Sequence, residues 1–149
     1  PMAQALLKRQ VGDAIFVDAY AGTGAVGIEA LSRGARHVYF LEKARAAVEV
    51  LRENLRTLGV ELRATVVRAP VLLALELHPA DIVFLDPPYR SDQAPTAITA
   101  LAGAGWMTPG CIVTVELAHN EDLLPPPGFE SIDERRYGAA KIVILKRTS

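Results

Sequence analysis

Residues 16–43 read FVDAYAGTGAVGIEALSRGARHVYFLEK, two short apolar runs joined by a glycine-rich turn and a segment of helical period. The turn holds Gly22, Gly24 and Gly27 in a G-x-G-x-x-G pattern directly after the first run. Between a strand and a helix, this pattern is typical of nucleotide-binding turns, because glycines let the backbone approach a ligand closely. The stretch therefore predicts a β-α-β unit with a ligand site at its first turn.

The same alternation continues along the chain and predicts an α/β fold with a parallel sheet. Near-continuously apolar runs, as expected for strands covered on both faces, occupy residues 14–19, 37–42, 64–69, 81–86 and 111–116. Segments of helical period occupy residues 25–33, 45–58, 71–77 and 94–102. After three prolines at 125–127, two further runs at residues 129–137 and 141–147 are joined through Gly138 and predict an antiparallel hairpin. We expect one doubly wound domain over residues 1–149.

Composition restricts the class of protein. The 149 residues are 50% hydrophobic, and 16 basic against 17 acidic residues give a net charge of −1. A nucleic-acid partner would then be held by a local patch, because no global basic field exists. The single cysteine, Cys111, can form neither an intramolecular disulfide nor a cysteine zinc cluster, and no apolar run reaches the length of a membrane span. We expect a cytoplasmic protein with no membrane segment and no metal.

Two acidic residues flank the glycine turn. Glu42 follows the second run, where a carboxylate can accept hydrogen bonds from both hydroxyls of a ribose. Both a nicotinamide dinucleotide and S-adenosylmethionine carry such a ribose. Asp18 favours S-adenosylmethionine, because a carboxylate before the turn would repel a pyrophosphate but suits a cationic sulfonium and an ammonium group. The predicted cofactor-binding residues are therefore Asp18, Gly22, Gly24 and Glu42.

A second motif, Asp86-Pro87-Pro88-Tyr89, follows the fourth run at the carboxyl edge of the sheet. Its two prolines remove two amide donors and leave carbonyl oxygens beside a carboxylate and an aromatic ring. An acceptor-rich pocket of this kind suits the exocyclic amine of a base, which Asp86 and the Pro87 carbonyl would accept while Tyr89 stacks on the ring. These four residues are the predicted catalytic residues.

Three segments together resemble the RsmD-type family of bacterial 16S ribosomal RNA guanine-N2 methyltransferases. They are residues 16–43, FLDPPYR at 84–90 and RRYGAAKIVILKR at 135–147, and PMAQALLKR at 1–9 resembles the end of that family's first helix. The resemblance implies a Rossmann-like methyltransferase fold, S-adenosylmethionine as cofactor, and ribosomal RNA or a small-subunit assembly particle as partner. It also implies that Asp86, Pro87, Pro88 and Tyr89 hold the target guanine.

The chain departs from the family pattern at two points. Members usually carry a basic N-terminal extension that engages RNA, and we expect that this extension is missing here. They also place an Asp after the third strand to bind the adenine amino group, whereas this chain has Arg68-Ala69-Pro70. The backbone around Ala69 is therefore expected to supply this cofactor contact.

Other residues are weaker candidates. Arg90 follows the proposed base pocket and is expected to contact a phosphate of a flipped nucleotide. Arg135 and Arg136 fit either phosphate contacts or an exposed strand face. His37, His78 and His119 have no metal-ligand spacing and no nucleophile partner, and they predict neither a metal site nor a catalytic triad.

Several functions stay open on the sequence. Within the same chemistry, similar Asp/Asn-Pro-Pro-Tyr turns also fit adenine-N6 methylation of DNA or RNA and methylation of a glutamine side chain. A nicotinamide-dependent dehydrogenase would need an acid such as His119 near the sheet edge. A module that only recognises a base is the remaining alternative.

Overall fold

The computed structural model describes residues 11–71 and 79–148, and within these ranges seven strands form one sheet. In chain order they are β1 (Ile15–Asp18), β2 (His37–Leu41), β3 (Ala64–Val67), β4 (Ala80–Leu85), β5 (Met107–Ala118), β6 (Phe129–Tyr137) and β7 (Ala140–Arg147). Their spatial order is β3-β2-β1-β4-β5-β7-β6. The first five strands in this spatial order, β3, β2, β1, β4 and β5, run parallel to one another, and β7 pairs antiparallel with both β5 and β6.

Three described helices cover the two faces of the sheet: α1 (Ala25–Ser32), α2 (Arg45–Leu58) and α3 (Gln93–Gly103). Helix α2 buries Val48, Leu51 and Leu55 along one stripe and ends at Gly59, whose φ of 68° is a left-handed conformation that glycine adopts at little cost. The predicted helix over residues 71–77 lies almost wholly outside the described residues. None of the described helices is long and apolar enough to cross a membrane.

Two apolar cores, one on each face, hold these layers together. Phe16, Phe40 and Leu51 belong to the core beneath α1 and α2. The opposite core contains Ile98 and Leu101 of α3 together with other buried apolar side chains, including Trp106. The Trp106 ring meets Tyr39 edge-on at 5.8 Å between ring centroids. A sheet covered on both faces explains why its central strands are apolar throughout.

The strand order reverses between β1 and β4, which are neighbours in the sheet although 61 residues of chain separate Asp18, the end of β1, from Ala80, the start of β4. Ladder pairing joins Asp18 to Phe84. In open α/β sheets the crevice at such a reversal, outside the carboxyl ends of the strands, is where ligands bind. Asp18 ends β1 and Asp86 directly follows β4. The topology thus brings the glycine turn and the Asp-Pro-Pro-Tyr turn to one crevice.

Strand β5 corrects one sequence expectation. It begins at Met107 and not at Cys111, so that Pro109 and Gly110, which are typical turn residues, lie within the strand. The ladder from β4 shifts register between Ala80 and Ile82, and this irregularity accommodates the extra residues of β5, including a proline that cannot donate to the ladder. The strands β1, β2, β3 and β4 each end one or two residues earlier than expected, so the residues that follow them lie outside the strands, at the carboxyl edge of the sheet.

Candidate functional site

Asp18 lies at the bottom of the crevice and is 1% exposed. Its Oδ2 accepts a hydrogen bond from the Gly27 amide of α1 at 3.0 Å. Burial raises the pKa of Asp18 from 3.8 to about 7, the Gly27 hydrogen bond opposes this, and the charges of Asp86 and Glu42 raise it further. Because the charges of two further carboxylates act on Asp18, a cationic group that enters the crevice beside it would be stabilised.

The glycine turn is built for close approach. Gly22 has a φ of 56° and faces open space, since an added Cβ would meet nothing within 4 Å. At Gly24 an added Cβ would collide with Leu51, and at Gly27 it would collide with the ring of Phe40. Gly24 and Gly27 therefore let α1 pack on the layers beneath it, whereas Gly22 leaves a bare stretch of backbone toward the crevice.

Glu42 joins the glycine turn to the start of α2. Its Oε1 accepts the Gly22 amide and its Oε2 accepts the Ala44 amide, both at 2.8 Å. Each oxygen has a second lone pair, so the carboxylate can still accept hydrogen bonds from a ligand. The Glu42 amide donates to the Val67 carbonyl at 3.0 Å, and the Ala69 amide donates to the same carbonyl at 3.1 Å. Glu42 and Ala69 are thus neighbours at the carboxyl edge.

The Asp-Pro-Pro-Tyr turn exposes the Asp86 carboxylate and buries Pro87. Among the described residues, neither the Asp86 carboxylate nor the Pro87 carbonyl accepts a hydrogen bond, while the Pro88 carbonyl accepts the Ser91 amide at 3.3 Å. Partial desolvation raises the pKa of Asp86 from 3.8 to about 6, and the Glu116 charge adds to this effect. Within residues 11–71 and 79–148, the turn therefore presents two acceptors that are not engaged in a hydrogen bond.

Tyr89 is 46% exposed and its hydroxyl donates to Glu116 Oε2 at 3.1 Å. Desolvation makes the largest contribution to the raised pKa of Tyr89, and this hydrogen bond and the nearby carboxylates raise the pKa further. A tyrosine ring held by its hydroxyl at the rim of the crevice offers a fixed face for stacking.

The residues after Tyr89 are tied to the loop that follows β5. The Arg90 amide donates to Glu121 Oε1 at 3.0 Å, and an Arg90 guanidinium nitrogen donates to Asn120 Oδ1 at 2.6 Å. Arg90 and Asp92 both have positive φ, 56° and 57°, which is uncommon outside glycine. The predicted phosphate-binding Arg90 is therefore beside the pocket, with one edge of its guanidinium engaged.

Three residues of this edge were not predicted: Glu116, Asn120 and Glu121. In the sequence, Glu116 is the polar last residue of the apolar run at 111–116. The signal that could have identified it is that this run ends at the same sheet edge as the run before Asp86. Asn120 and Glu121 lie in a loop whose path the sequence does not specify.

Arg135 and Arg136 lie outside the crevice on the exposed edge strand β6. They form ion pairs with carboxylates of their own strand, Arg135 with Asp133 at 3.1 Å and Arg136 with Glu134 at 3.3 Å. Since β6 is separated from β5 by β7, these arginines are two strands away from Glu116. The structure does not bring them together with the pocket.

The histidines and the cysteine lie apart from this arrangement. A ring nitrogen of His37 is 2.8 Å from the Thr65 hydroxyl, His119 is exposed after β5, and His78 lies outside the described residues. Cys111 is buried, and desolvation raises the pKa of its thiol to about 12. In residues 11–71 and 79–148, no group of three His, Cys, Asp or Glu side chains is placed to hold a metal ion.

The sequence of this chain is similar to those of known proteins. The family model described as conserved hypothetical protein 95 matches residues 4–146. Ribosomal RNA small subunit methyltransferase D of Haemophilus influenzae is 33% identical over 127 residues, covering 82% of this chain and 66% of that protein. The Escherichia coli protein of the same name is 38% identical over 105 residues, covering 70% and 53%. This chain thus spans less than two thirds of the length of these relatives.

The fold has a solved counterpart. A putative methyltransferase from Escherichia coli, yhhF, superposes with a TM-score of 0.87 at 31% sequence identity, covering 99% of this chain and 82% of that one. The Rossmann-like methyltransferase fold that the sequence predicted, with its mostly parallel sheet and its antiparallel C-terminal strands, is confirmed.

Proposed function

Because this chain belongs to the RsmD family of ribosomal RNA small subunit methyltransferases, whose family model is described as conserved hypothetical protein 95, we propose that it methylates an exocyclic amine of an RNA base. The methyl donor is S-adenosylmethionine and the acceptor is guanine N2 of small-subunit (16S) ribosomal RNA. The observation that carries this proposal is a pair of acceptors, the Asp86 carboxylate and the Pro87 carbonyl, which accept no hydrogen bond from any residue that the structure describes and which lie at the strand-order reversal beside the glycine turn.

The crevice fits S-adenosylmethionine by the chemistry of its residues. When bound, this cofactor supplies an activated methyl group on a positively charged sulfonium. Asp18 and Glu42 are carboxylates close enough for their charges to interact, which favours a cation between them. Gly22 leaves space for a ligand against the backbone, Glu42 retains lone pairs for ribose hydroxyls, and the Ala69 backbone lies beside Glu42 for the adenine.

The target base is held by the second turn. An aromatic amine is a poor nucleophile because its lone pair is conjugated with the ring. Asp86 and the Pro87 carbonyl accept its two N–H groups and support the nitrogen as it pyramidalises, and Tyr89 stacks on the base. As the nitrogen takes the methyl group, the bond from that group to the sulfonium breaks and leaves a neutral thioether. The nitrogen becomes positive, and Asp86 takes the proton that it then loses. The interaction with Asp86 strengthens toward the transition state, which is where it accelerates the reaction.

Mass-spectrometric mapping of labelled nucleosides tests this proposal. The natural full-length protein is incubated with methyl-labelled S-adenosylmethionine and with small-subunit ribosomal RNA or its assembly particles from cells that lack the protein. The expected product is N2-methylguanosine at one position. Labelled N6-methyladenosine would instead identify an adenine-N6 methyltransferase. No labelled nucleoside, together with NADH binding and no S-adenosylmethionine binding in calorimetry, would favour a dehydrogenase.

Asp86 variants separate the chemistry from cofactor binding. Asp86→Ala is expected to lower the single-turnover rate at least about 100-fold and to leave cofactor affinity within a few-fold. Asp86→Asn should lose less, because its amide oxygen still accepts a hydrogen bond. Asp13→Asn, an exposed position at the opposite edge of the sheet, is the matched control. A wild-type rate in Asp86→Ala would refute the assigned role.

A further inference from the structure

Glu116 is a second carboxylate at the base pocket that the proposed function leaves unused. Parallel pairing joins Leu85 of β4 to Val115 of β5, so that the next residues of the two strands, Asp86 and Glu116, lie side by side at the carboxyl edge. The Glu116 charge also acts on Asp86 and raises its pKa, in agreement with this placement. Two acidic side chains therefore border the space in front of the Asp-Pro-Pro-Tyr turn.

The hydrogen bonds of Glu116 leave it free to accept one from a ligand. Its Oε2 accepts the Tyr89 hydroxyl at 3.1 Å, and within the described part of the chain its Oε1 accepts no hydrogen bond. Glu121, nearby, differs because its Oε1 accepts the amides of both Arg90 and Ala118, at 3.0 and 3.1 Å. Glu121 thus fixes the loop, whereas Glu116 is half-buried, oriented by Tyr89 and still open to a donor.

Two adjacent carboxylates discriminate between bases by hydrogen-bond polarity. An ionised carboxylate only accepts hydrogen bonds. Guanine presents two neighbouring donors on its Watson–Crick edge, the N1–H and the C2 amine. Adenine presents its amine beside an unprotonated N1, whose lone pair would face a carboxylate without a proton between them. A pocket with two acceptors therefore fits guanine and repels adenine.

We propose that Glu116 is a specificity-determining residue, which accepts the N1–H of the guanine whose C2 amine is held by Asp86. This inference rests on the proposed function and adds to it the residue that selects the base. Tyr89 has two tasks in this arrangement, since its ring stacks on the base and its hydroxyl orients the Glu116 carboxylate. Glu116 takes no proton in the reaction, so its effect falls on selection of the base.

The test replaces the target guanine by 2-aminopurine, which keeps the C2 amine but has an unprotonated N1. Small-subunit RNA carrying either base at the methylated position is assembled from synthetic fragments and given to the natural full-length protein. The wild type is expected to prefer guanine at least about 100-fold in kcat/KM, because a site built to accept a hydrogen bond rejects an analogue without the donor. In Glu116→Gln the preference should fall below about tenfold, because the carboxamide can donate to N1.

Three further variants complete the test. Glu116→Ala, which removes the repulsion, must also narrow the preference, so the proposal stays testable if the glutamine variant does not fold. Tyr89→Phe keeps the stacking ring but removes the hydroxyl that orients Glu116, so it should lower the rate with guanine more than the rate with 2-aminopurine and narrow the preference only in part. Glu130→Gln changes an exposed carboxylate of β6 and should match the wild type.

The possible results separate the inference from its premise. If the wild type methylates neither RNA, the proposed function fails. If it methylates both equally, or if Glu116→Gln and Glu116→Ala lower both rates in proportion and keep the preference, the function stands and Glu116 does not select the base.

Discussion

Asp18→Asn is expected to make the free energy of unfolding less dependent on pH between pH 5 and pH 8. Asp18 is fully buried, and its pKa rises from 3.8 to about 7 on folding because burial disfavours the charged carboxylate. Between these two pH values the folded state binds more protons than the unfolded state, so the free energy of unfolding decreases as pH rises. Asn is neutral at every pH and its amide oxygen can still accept the Gly27 hydrogen bond.

The size of the effect follows from the pKa of Asp18 in the two states. A change from 3.8 to about 7 corresponds to about 4 kcal/mol between fully protonated and fully ionised protein. Between pH 5 and pH 8, linkage makes the stability that Asp18 contributes to the wild type about 3 kcal/mol larger at the lower pH than at the higher one. The stability of Asp18→Asn relative to wild type should therefore increase by about that amount from pH 5 to pH 8.

Urea unfolding of both proteins at pH 5, 6, 7 and 8, followed by circular dichroism, measures this difference. Asp13→Asn controls for the loss of one negative charge from an exposed turn. A difference between Asp18→Asn and wild type that stays constant within about 0.5 kcal/mol would show that Asp18 is already ionised in the folded protein. The reasoning about a desolvated carboxylate at the bottom of the crevice would then be refuted.

Three further predictions concern the same edge of the sheet. Gly27→Ala should lower the free energy of unfolding by about 1 to 3 kcal/mol, because the new methyl group would collide with the Phe40 ring. Gly12→Ala is the control and should not lower it, since an added Cβ there meets nothing within 4 Å. Urea unfolding measures the stability of both variants. Glu42→Ala should weaken S-adenosylmethionine binding by about 1 to 3 kcal/mol in calorimetry, and unchanged affinity would remove Glu42 from the cofactor site. The kcat/KM of methyl transfer should fall below about pH 6, where Asp86 is protonated and loses an acceptor, and this decrease should be absent from Asp86→Asn.

Much of the fold could be predicted because its signals are local. The G-x-G-x-x-G turn, the apolar stripe of α2 and the Gly59 stop each depend on neighbouring residues, and the structure contains all three. The hairpin of β6 and β7 was placed within one residue for the same reason. The start of β5 could not be predicted, because a proline and a glycine read locally as a turn, while long-range pairing with β4 carries the strand past them.

The residues of the candidate site could be predicted only in part from the sequence, and the limit of this prediction has a physical cause. Motifs identify Asp18, Gly22, Glu42 and Asp86, since each of them adjoins a strand end in a familiar pattern. Glu116 has no motif of its own, and its relation to Asp86 appears only when β4 and β5 are paired in register. Arg135 and Arg136 show the opposite case, because a basic pair that suggests phosphate binding is matched by carboxylates of the same strand.

Four adjacent strands each have one carboxylate at or near their carboxyl ends. The hydrogen bonds of these four carboxylates divide them into two pairs. Asp18 and Glu42, after β1 and β2, accept backbone amides and are held in place, which suits a ligand whose charge is permanent. Asp86 directly follows β4, and Glu116 lies two residues before the end of β5. In the part of the chain that the structure describes, both keep an oxygen that accepts no hydrogen bond, which suits a base that must enter, be recognised and leave. Only one of the second pair needs to take a proton, and Asp86, exposed and with a pKa near 6, can release it again to solvent at neutral pH. In the proposed function, the difference between a fixed cation site and an exchanging amine site thus follows from which of these carboxylates accept backbone amides.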